Sequence, residues 1–350
     1  MLERVADTIE RGDFLNGAAV ADFERAFAGY CGVDHCVGVS SGLDALRIAL
    51  QGAALEPGAG VVVPAHTFAA TFEAVVQAGG VPVVVDITDA DYTIDASQTR
   101  GAAQRTGATH ILPVHLYGQL ADMRSLAELA GELGAQLVED ACQAHGARRD
   151  DVTPGQASRA AAFSFYPAKN LGAMGDAGAL VTDDEALAAY ARALRVHGER
   201  QKYVHEYVGY TARLDTIQAA VLLEKLALLD EWNVQRRRAA AVYNDALSGL
   251  DGLALPPVAE GSDPVWHLFV IRTADPQALA AFLAEREIHT ARHYPEPPHL
   301  ASAYRSLGHA PGDFPVAEAL ARECLSLPIY PGITEEQLER VCDAVRTFFE

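Results

Sequence analysis

Lysine is almost absent from this 350-residue chain: only Lys169, Lys202 and Lys225 occur among 27 basic residues. A chemistry that needs a primary amine therefore has three candidates. Cysteine is sparse too, at Cys31, Cys36, Cys142, Cys324 and Cys342. The number is odd and no C-x-x-C spacing occurs, which argues against a thiolate metal site or a disulfide framework and for reduced thiols. Positive charge is short overall. A formal net charge of -20 repels phosphate backbones and anionic bilayers, so neither nucleic acid nor membrane is an expected partner. An anionic ligand would need a locally positive pocket. No apolar run approaches the roughly 18 residues of a membrane helix, and the first residues, MLERVADTIERGDF, are charged where a secretory signal is apolar. These absences predict a cytoplasmic protein. Internal repeats and low-complexity stretches are missing as well.

What is present is apolar surface for a large core: half of the residues are hydrophobic. Short apolar runs alternate with helical stretches, the pattern of an α/β sheet. The spacing predicts strands at 35–40, 61–64, 81–86, 111–116, 136–140, 161–166 and 179–182. It predicts helices after Ser41-Gly42, from about Thr67 to Ala78, over Asp122 to Leu133, and from 183 to about Val196. The polar, aromatic segment 197–215 reads as a functional loop, because structureless stretches of this length are uncommon without a role. A single long helix is predicted from Thr216 to Gly249, then a Gly/Pro-rich connector over 250–264. Helices near 276–286 and 316–323 and one from Glu335 complete a smaller C-terminal unit, with the division placed at 1–232 and 233–350.

Several residues along this frame can carry chemistry. Lys169, in FSFYPAKNLGAMGDAGAL, follows a strand and sits among Phe163, Phe165, Tyr166, Leu171 and Met174. Such a lysine either snorkels its charge to the surface or is sunk far enough to lose part of its basicity, becoming an amine able to form a Schiff base with an aldehyde cofactor. Asp140, in VEDACQAHG, ends a strand, where α/β sheets place their ligands. It can cap a turn or hold a heterocyclic nitrogen in its protonated, electron-withdrawing form. Gln143, three residues on, either faces solvent or hydrogen-bonds a cofactor oxygen. The strand–turn–helix of SSGLDAL offers helix-start N–H groups to a phosphate at Ser41 and Gly42, with Ser164 able to add a hydroxyl. Phe68 is either a core aromatic of an amphipathic helix or a surface on which a flat ring stacks. His115 and His145 are either site or core histidines. Arg200 and Lys202, on segment 197–215, either face solvent or meet a diphosphate. The run Arg236-Arg237-Arg238 reads as a solvated helix face. The order of phosphate turn, aromatic, carboxylate and lysine, each at a strand end, is the order an electron-sink cofactor requires.

These motifs resemble the DegT–DnrJ–StrS group of sugar aminotransferases. The likeness runs from about Asp13 to the C-terminus through YCGVDHCVGVSSGLDAL, VPAHTFAATFEAV, PVHLYGQLADM, VEDACQAHGA, FSFYPAKNLGAMGDAGALVT, RLDTIQAAVL, HYPEPPHL and LSLPIYPG. The resemblance implies the aspartate-aminotransferase fold (type I): a large domain with a mixed, mostly parallel sheet and a smaller C-terminal α/β domain. It also implies pyridoxal 5'-phosphate as cofactor. Lys169 would bond its aldehyde and shuttle the proton, Asp140 would pair with the ring nitrogen, and Gln143 with the phenolic oxygen. Ser41, Gly42, Leu43 and Ser164 would bind the phosphate, and Phe68 would stack on the ring. Tyr166, His293 and Tyr294 would face the sugar. Segment 197–215, with Arg200, Lys202 and Thr211, would enter the neighbouring subunit's site, making a homodimer with shared active sites.

The segments RQKYVHE and HYP are most similar to enzymes that aminate carbon 3 of thymidine-diphosphate 3-keto-6-deoxy sugars, with L-glutamate or glutamine as donor. A 4-keto nucleotide sugar or an inosose is the alternative substrate. A regulator that binds the cofactor or a nucleotide sugar without turnover is the alternative of another class. Some members carry histidine for the lysine and act as dehydratases; Lys169 argues against that. Two departures stand out. Leu43 replaces the usual threonine after Ser-Gly, and Thr211 replaces the usual asparagine of G-x-N-x-R-L-D. Both imply a less tightly held cofactor.

Overall fold

Short runs such as GVVVP, VPVVV and GALVT are apolar on both faces, so they form strands only where helices cover both sides of a sheet. The computed structural model describes residues 1–350, and this is what it shows. Helices α1 (Leu2–Arg11) and α2 (Ala18–Cys31) lead into β1 (His35–Val39) and α3 (Gly42–Gly52). The chain then alternates: β2 (Gly60–Pro64), α4 (Ala69–Gln77), β3 (Val81–Val85), α5 (Ala96–Thr106), β4 (His110–Ile111), α6 (Met123–Leu133), β5 (Gln136–Asp140). A two-residue strand, β6 (Arg148–Arg149), precedes β7 (Ala160–Ser164), β8 (Gly178–Thr182) and α7 (Glu185–Leu194). The sheet of seven strands has the order β1-β8-β7-β5-β4-β2-β3. Pairings from β7 through β5, β4 and β2 to β3 are parallel, whereas β8 is antiparallel to both β1 and β7. Only β8 is reversed, so the sheet is mixed and mostly parallel, as expected, and one edge collects the C-terminal ends of the other six strands.

Alternation along each strand divides the core. Val37, Val39, Val138 and Ala162 face α3, α4 and α7. Cys36, Ala161 and Phe163 face α2 and the later helix α8 (Thr216–Leu226), with Phe23, Phe27 and Leu222 filling that layer.

Segment 197–215 is largely irregular, but its tip is a hairpin of β9 (Glu199–Gln201) and β10 (Val204–His205). The predicted helix over 216–249 is two helices: α8, then α9 (Leu229–Leu247). Ala227 and Leu228 end the first, and Asp230 and Glu231 supply the acidic first turn of the second, where negative charge meets the helix dipole. The break lets α8 pack on the main sheet while Tyr243 and Leu247 of α9 turn to another core. Beyond it, β11 (Leu253–Ala254), β13 (Phe269–Thr273) and β14 (Cys324–Leu327) form a three-stranded antiparallel sheet under α9, α10 (Pro276–Ala284), α11 (Pro315–Glu323) and α12 (Glu335–Phe349). Between β11 and β13, β12 (Ser262–Asp263) pairs back with β6.

Arg236 overturns one expectation. It is 5% exposed rather than solvated, and its guanidinium donates to the carbonyls of Trp266, His267 and Ile329. Its neighbours Arg237 and Arg238 do pair near the surface, with Asp263 and Glu335. The helix α5 was not anticipated, because only Thr99, Ala102 and Ala103 of it are buried. The strand predicted at 111–116 is regular only at His110–Ile111, since Pro113 has no N–H to give the ladder.

Candidate active site

The edge where six strands end opens into a cavity of about 490 Å³, inside the usual range for a small-molecule site. The ends of β1, β2, β5 and β7, and the turns after them, deliver side chains to it. The turn after β1 supplies Ser41, Gly42 and Leu43; the turn after β2 supplies Thr67 and Phe68. Asp140 ends β5, Ser164 ends β7, and the following loop brings Tyr166 and Lys169. Gln143, His293 and Tyr294 close the wall.

At the first turn, Ser41 is the N-cap of α3 and accepts from Asp44 N–H at 3.1 Å. A helix start leaves amides without intrahelical partners, aimed at whatever fills the space before it. Asp44 would oppose an anion there, but its charge is matched by Arg47 and by the hydroxyls of Ser40 and Ser41. The turn can lie this close to the sheet because Gly178 has no side chain. A Cβ at Gly178 would sit 2.3 Å from Ser41 backbone atoms.

Asp140 is buried, with each oxygen engaged: one accepts from Thr71 Oγ1 at 2.8 Å, the other from Cys142 N–H at 3.2 Å. Gln143 is oriented by its own hydrogen bonds. Its Oε1 accepts the Tyr117 N–H at 2.7 Å, which fixes the amide so that Nε2 is the donor, given to the Tyr294 hydroxyl at 3.1 Å. Tyr294 in turn lies against Phe68, ring centroids 5.4 Å apart. Phe68 is not a core aromatic. It is 54% exposed and precedes α4, which begins at Ala69 rather than Thr67.

Burial pushes the Lys169 ammonium below its ordinary pKa, while Cys142 and Asp140 partly hold it up. Burial acts in the same direction on the histidines around it. His267 is driven well below 6.5 by burial and by Lys169, and donates or accepts at Nδ1 with Asn170 at 3.1 Å. His293 is lowered by burial and by Lys169, and its Nδ1 meets Ser326 Oγ at 2.7 Å. His145 lies behind Ser164, bonded to its carbonyl at 2.9 Å, and burial brings it down to about 3. His115 is fully buried against Glu139 at 2.7 Å. His115 and His145 are therefore core histidines, absent from the cavity wall.

Three expected residues do not line the cavity of their own chain. Arg200 pairs with Glu206, Lys202 lies beside the Tyr203 ring, and Thr211 Oγ1 meets His197 Nε2 at 3.2 Å. Conversely, Thr67, Glu73, Cys142, Asp176 and His267 line it without having been singled out. Thr67 and Cys142 lay within the motifs, one position from Phe68 and two from Asp140. His267 is separated by about a hundred residues from Lys169 and gave no local signal.

Known proteins resemble the chain over nearly its whole length. Residues 1–346 match the DegT/DnrJ/EryC1/StrS aminotransferase family. The dTDP-3-amino-3,4,6-trideoxy-alpha-D-glucose transaminase of Streptomyces venezuelae is 48% identical over 99% of this chain and 91% of its own length. The erythromycin biosynthesis sensory transduction protein EryC1 of Saccharopolyspora erythraea is 48% identical over 94% of this chain and 90% of its own. The crystal structure of S. venezuelae DesV in complex with a ketimine intermediate superposes with a TM-score of 0.97 at 47% identity, covering 99% of this chain and 94% of that one. The chain belongs to the DegT/DnrJ/EryC1/StrS aminotransferase family.

Proposed function

We propose that this pyridoxal-phosphate-dependent aminotransferase carries the amino group of L-glutamate (or glutamine) to the ketone of a dTDP-linked 3-keto-6-deoxyhexose. The product is a dTDP-amino sugar, of use in antibiotic or glycan biosynthesis. The observation that carries the reading is the meeting, in one cavity, of a depressed amine at Lys169, a buried carboxylate at Asp140 and the start of α3.

The residues present fit pyridoxal phosphate. Lys169 would bond its aldehyde carbon, Asp140 its ring N–H, and the Gln143 amide its phenolic oxygen. Phe68 would lie on the ring, and the first turn of α3, with Ser41, Gly42, Leu43 and Ser164, would take the phosphate. When bound, the cofactor supplies an electron sink and a carrier for the amino group.

The remaining work is done by the chain. Lys169, whose ammonium form is disfavoured by burial, takes a proton from Cα of the amino donor and returns one to C3 of the sugar. Asp140, held at both oxygens, sets its carboxylate at a fixed place, and a preorganised group of this kind stabilises charge that develops beside it. Tyr166, His293 and Tyr294 border the remaining space, where the sugar would lie.

Lys169 is the only cation on the cavity wall, beside the acids Glu73, Asp140 and Asp176. A sugar diphosphate and a donor carboxylate need more positive charge than that. The hairpin tip at 199–205 carries Arg200 and Lys202, and Tyr203 on it is 81% exposed. We therefore assign this hairpin, with Thr211, to the cavity of the partner in a homodimer.

The test is a two-stage assay. Holoenzyme with L-glutamate alone should release one 2-oxoglutarate per chain. Adding a panel of 3-keto and 4-keto dTDP-sugars and an inosose should then yield an amino product, by mass spectrometry, from the 3-keto sugar. Product only from a 4-keto sugar or the inosose would refute the substrate reading. No 2-oxo acid from either donor would leave the non-catalytic binder standing.

A further inference from the structure

Asp140 is anchored by more than its place on β5. Its Oδ2 accepts from Thr71 Oγ1 at 2.8 Å, and Thr71 Oγ1 lies 2.7 Å from Thr67 Oγ1. A hydroxyl has one proton to give. With the Thr71 proton committed to the carboxylate, the short Thr67–Thr71 contact must run the other way, Thr67 donating and Thr71 accepting. Both side chains are buried, at 1% and 0% exposure, so water does not substitute for either. Both also come from the turn and first helical turn after β2, an element separate from the strand that carries Asp140. The opposite oxygen, Oδ1, is held by the Cys142 N–H at 3.2 Å.

We infer that Thr71 is a positioning residue for the cofactor ring. The Thr67-to-Thr71 hydroxyl relay fixes the rotation of the Asp140 carboxylate and thereby the direction of its remaining lone pairs. This rests on the reading above, in which Asp140 faces the ring nitrogen. A carboxylate anchored at one oxygen by a backbone amide alone can still rotate about its Cβ–Cγ bond. The second anchor removes that freedom before the ligand arrives, so the ordering cost is not taken from binding. Thr71→Val keeps the shape and β-branching and deletes only the donor, whereas Thr71→Ser keeps the donor.

The discriminating probe is 1-deazapyridoxal phosphate, which has a C–H where pyridoxal phosphate has its ring nitrogen and so offers Asp140 no N–H. Dissociation constants of both compounds are measured by fluorescence titration of the apo forms of wild type, Thr71→Val and Thr71→Ser. Wild type should prefer pyridoxal phosphate. Thr71→Val should weaken pyridoxal phosphate about tenfold and leave the deaza compound within twofold, and Thr71→Ser should behave as wild type. Retained binding of the deaza compound also shows that the valine variant is folded. Equal weakening of both compounds, or no weakening of either, would overturn the relay while leaving Asp140 its role. A wild type that does not distinguish the two compounds would remove the Asp140 reading, and the relay with it.

Discussion

Leu43 lies in the first turn of α3 and lines the cavity beside Ser41 and Gly42. Its amide can serve a phosphate as well as any other residue's, but its side chain brings no donor. Leu43→Thr should therefore restore a hydroxyl at the helix start and slow cofactor loss several-fold, a gain of about 1 kcal/mol. Dialysis of the two holoenzymes followed by absorbance checks this, and equal retention would show that the amides alone set the affinity. Other single residues were legible to different depths. Lys169 and Asp140 could be read from their neighbours because burial and strand ends follow from local pattern. The choice between their bland and chemical roles could not, since it depends on both reaching one cavity. Phe68 was ambiguous for a similar reason: helix periodicity places an aromatic on a face but does not say where the helix begins. Arg236 was misread because a run of three arginines looks solvated, while three backbone carbonyls from remote segments give the first of them a buried partner set.

Among the elements, the strands were the most legible. Both faces of this sheet are covered, so most of its strands are nearly continuous apolar runs, β5 with its Gln136, Glu139 and Asp140 being the exception. Strand direction was not written in any run. Nothing within GALVT distinguishes β8 from its parallel neighbours, and its reversal follows from the short excursion through the Lys169 loop rather than through a crossover helix. Helix boundaries failed where one face gave way to another. The stretch 216–249 has no proline or glycine to mark a stop before Gly249, and the break at Ala227–Leu228 is set by the two cores the halves must fill. The exposed α5 was missed because its burial is slight, although Asp95, which caps Ser97 and Gln98, is a helix-start signal.

At the scale of the whole molecule, the fold keeps histidines neutral in its interior. Burial lowers His66 to about 4 and His145 to about 3. Above an unfolded value near 6.5, both states hold these rings neutral and no penalty arises. As pH falls below 6.5, the unfolded chain takes up protons that the folded chain refuses, so stability declines by about 1.4 kcal/mol per pH unit for each ring, until the folded values are reached. The melting temperature should therefore fall steadily from pH 6.5 to 4.5. A flat profile over that window would show that these rings are charged, or water-exposed, in the folded protein. No helix is long and apolar enough to cross a membrane.

The scarcity of lysine makes one measurement decisive. Holoenzyme is treated with borohydride, digested, and the phosphopyridoxyl label located by mass spectrometry. The label should fall on Lys169, the one lysine that lines the cavity. A label on Lys202 or Lys225 instead, or none on the protein at all, would contradict the site described here.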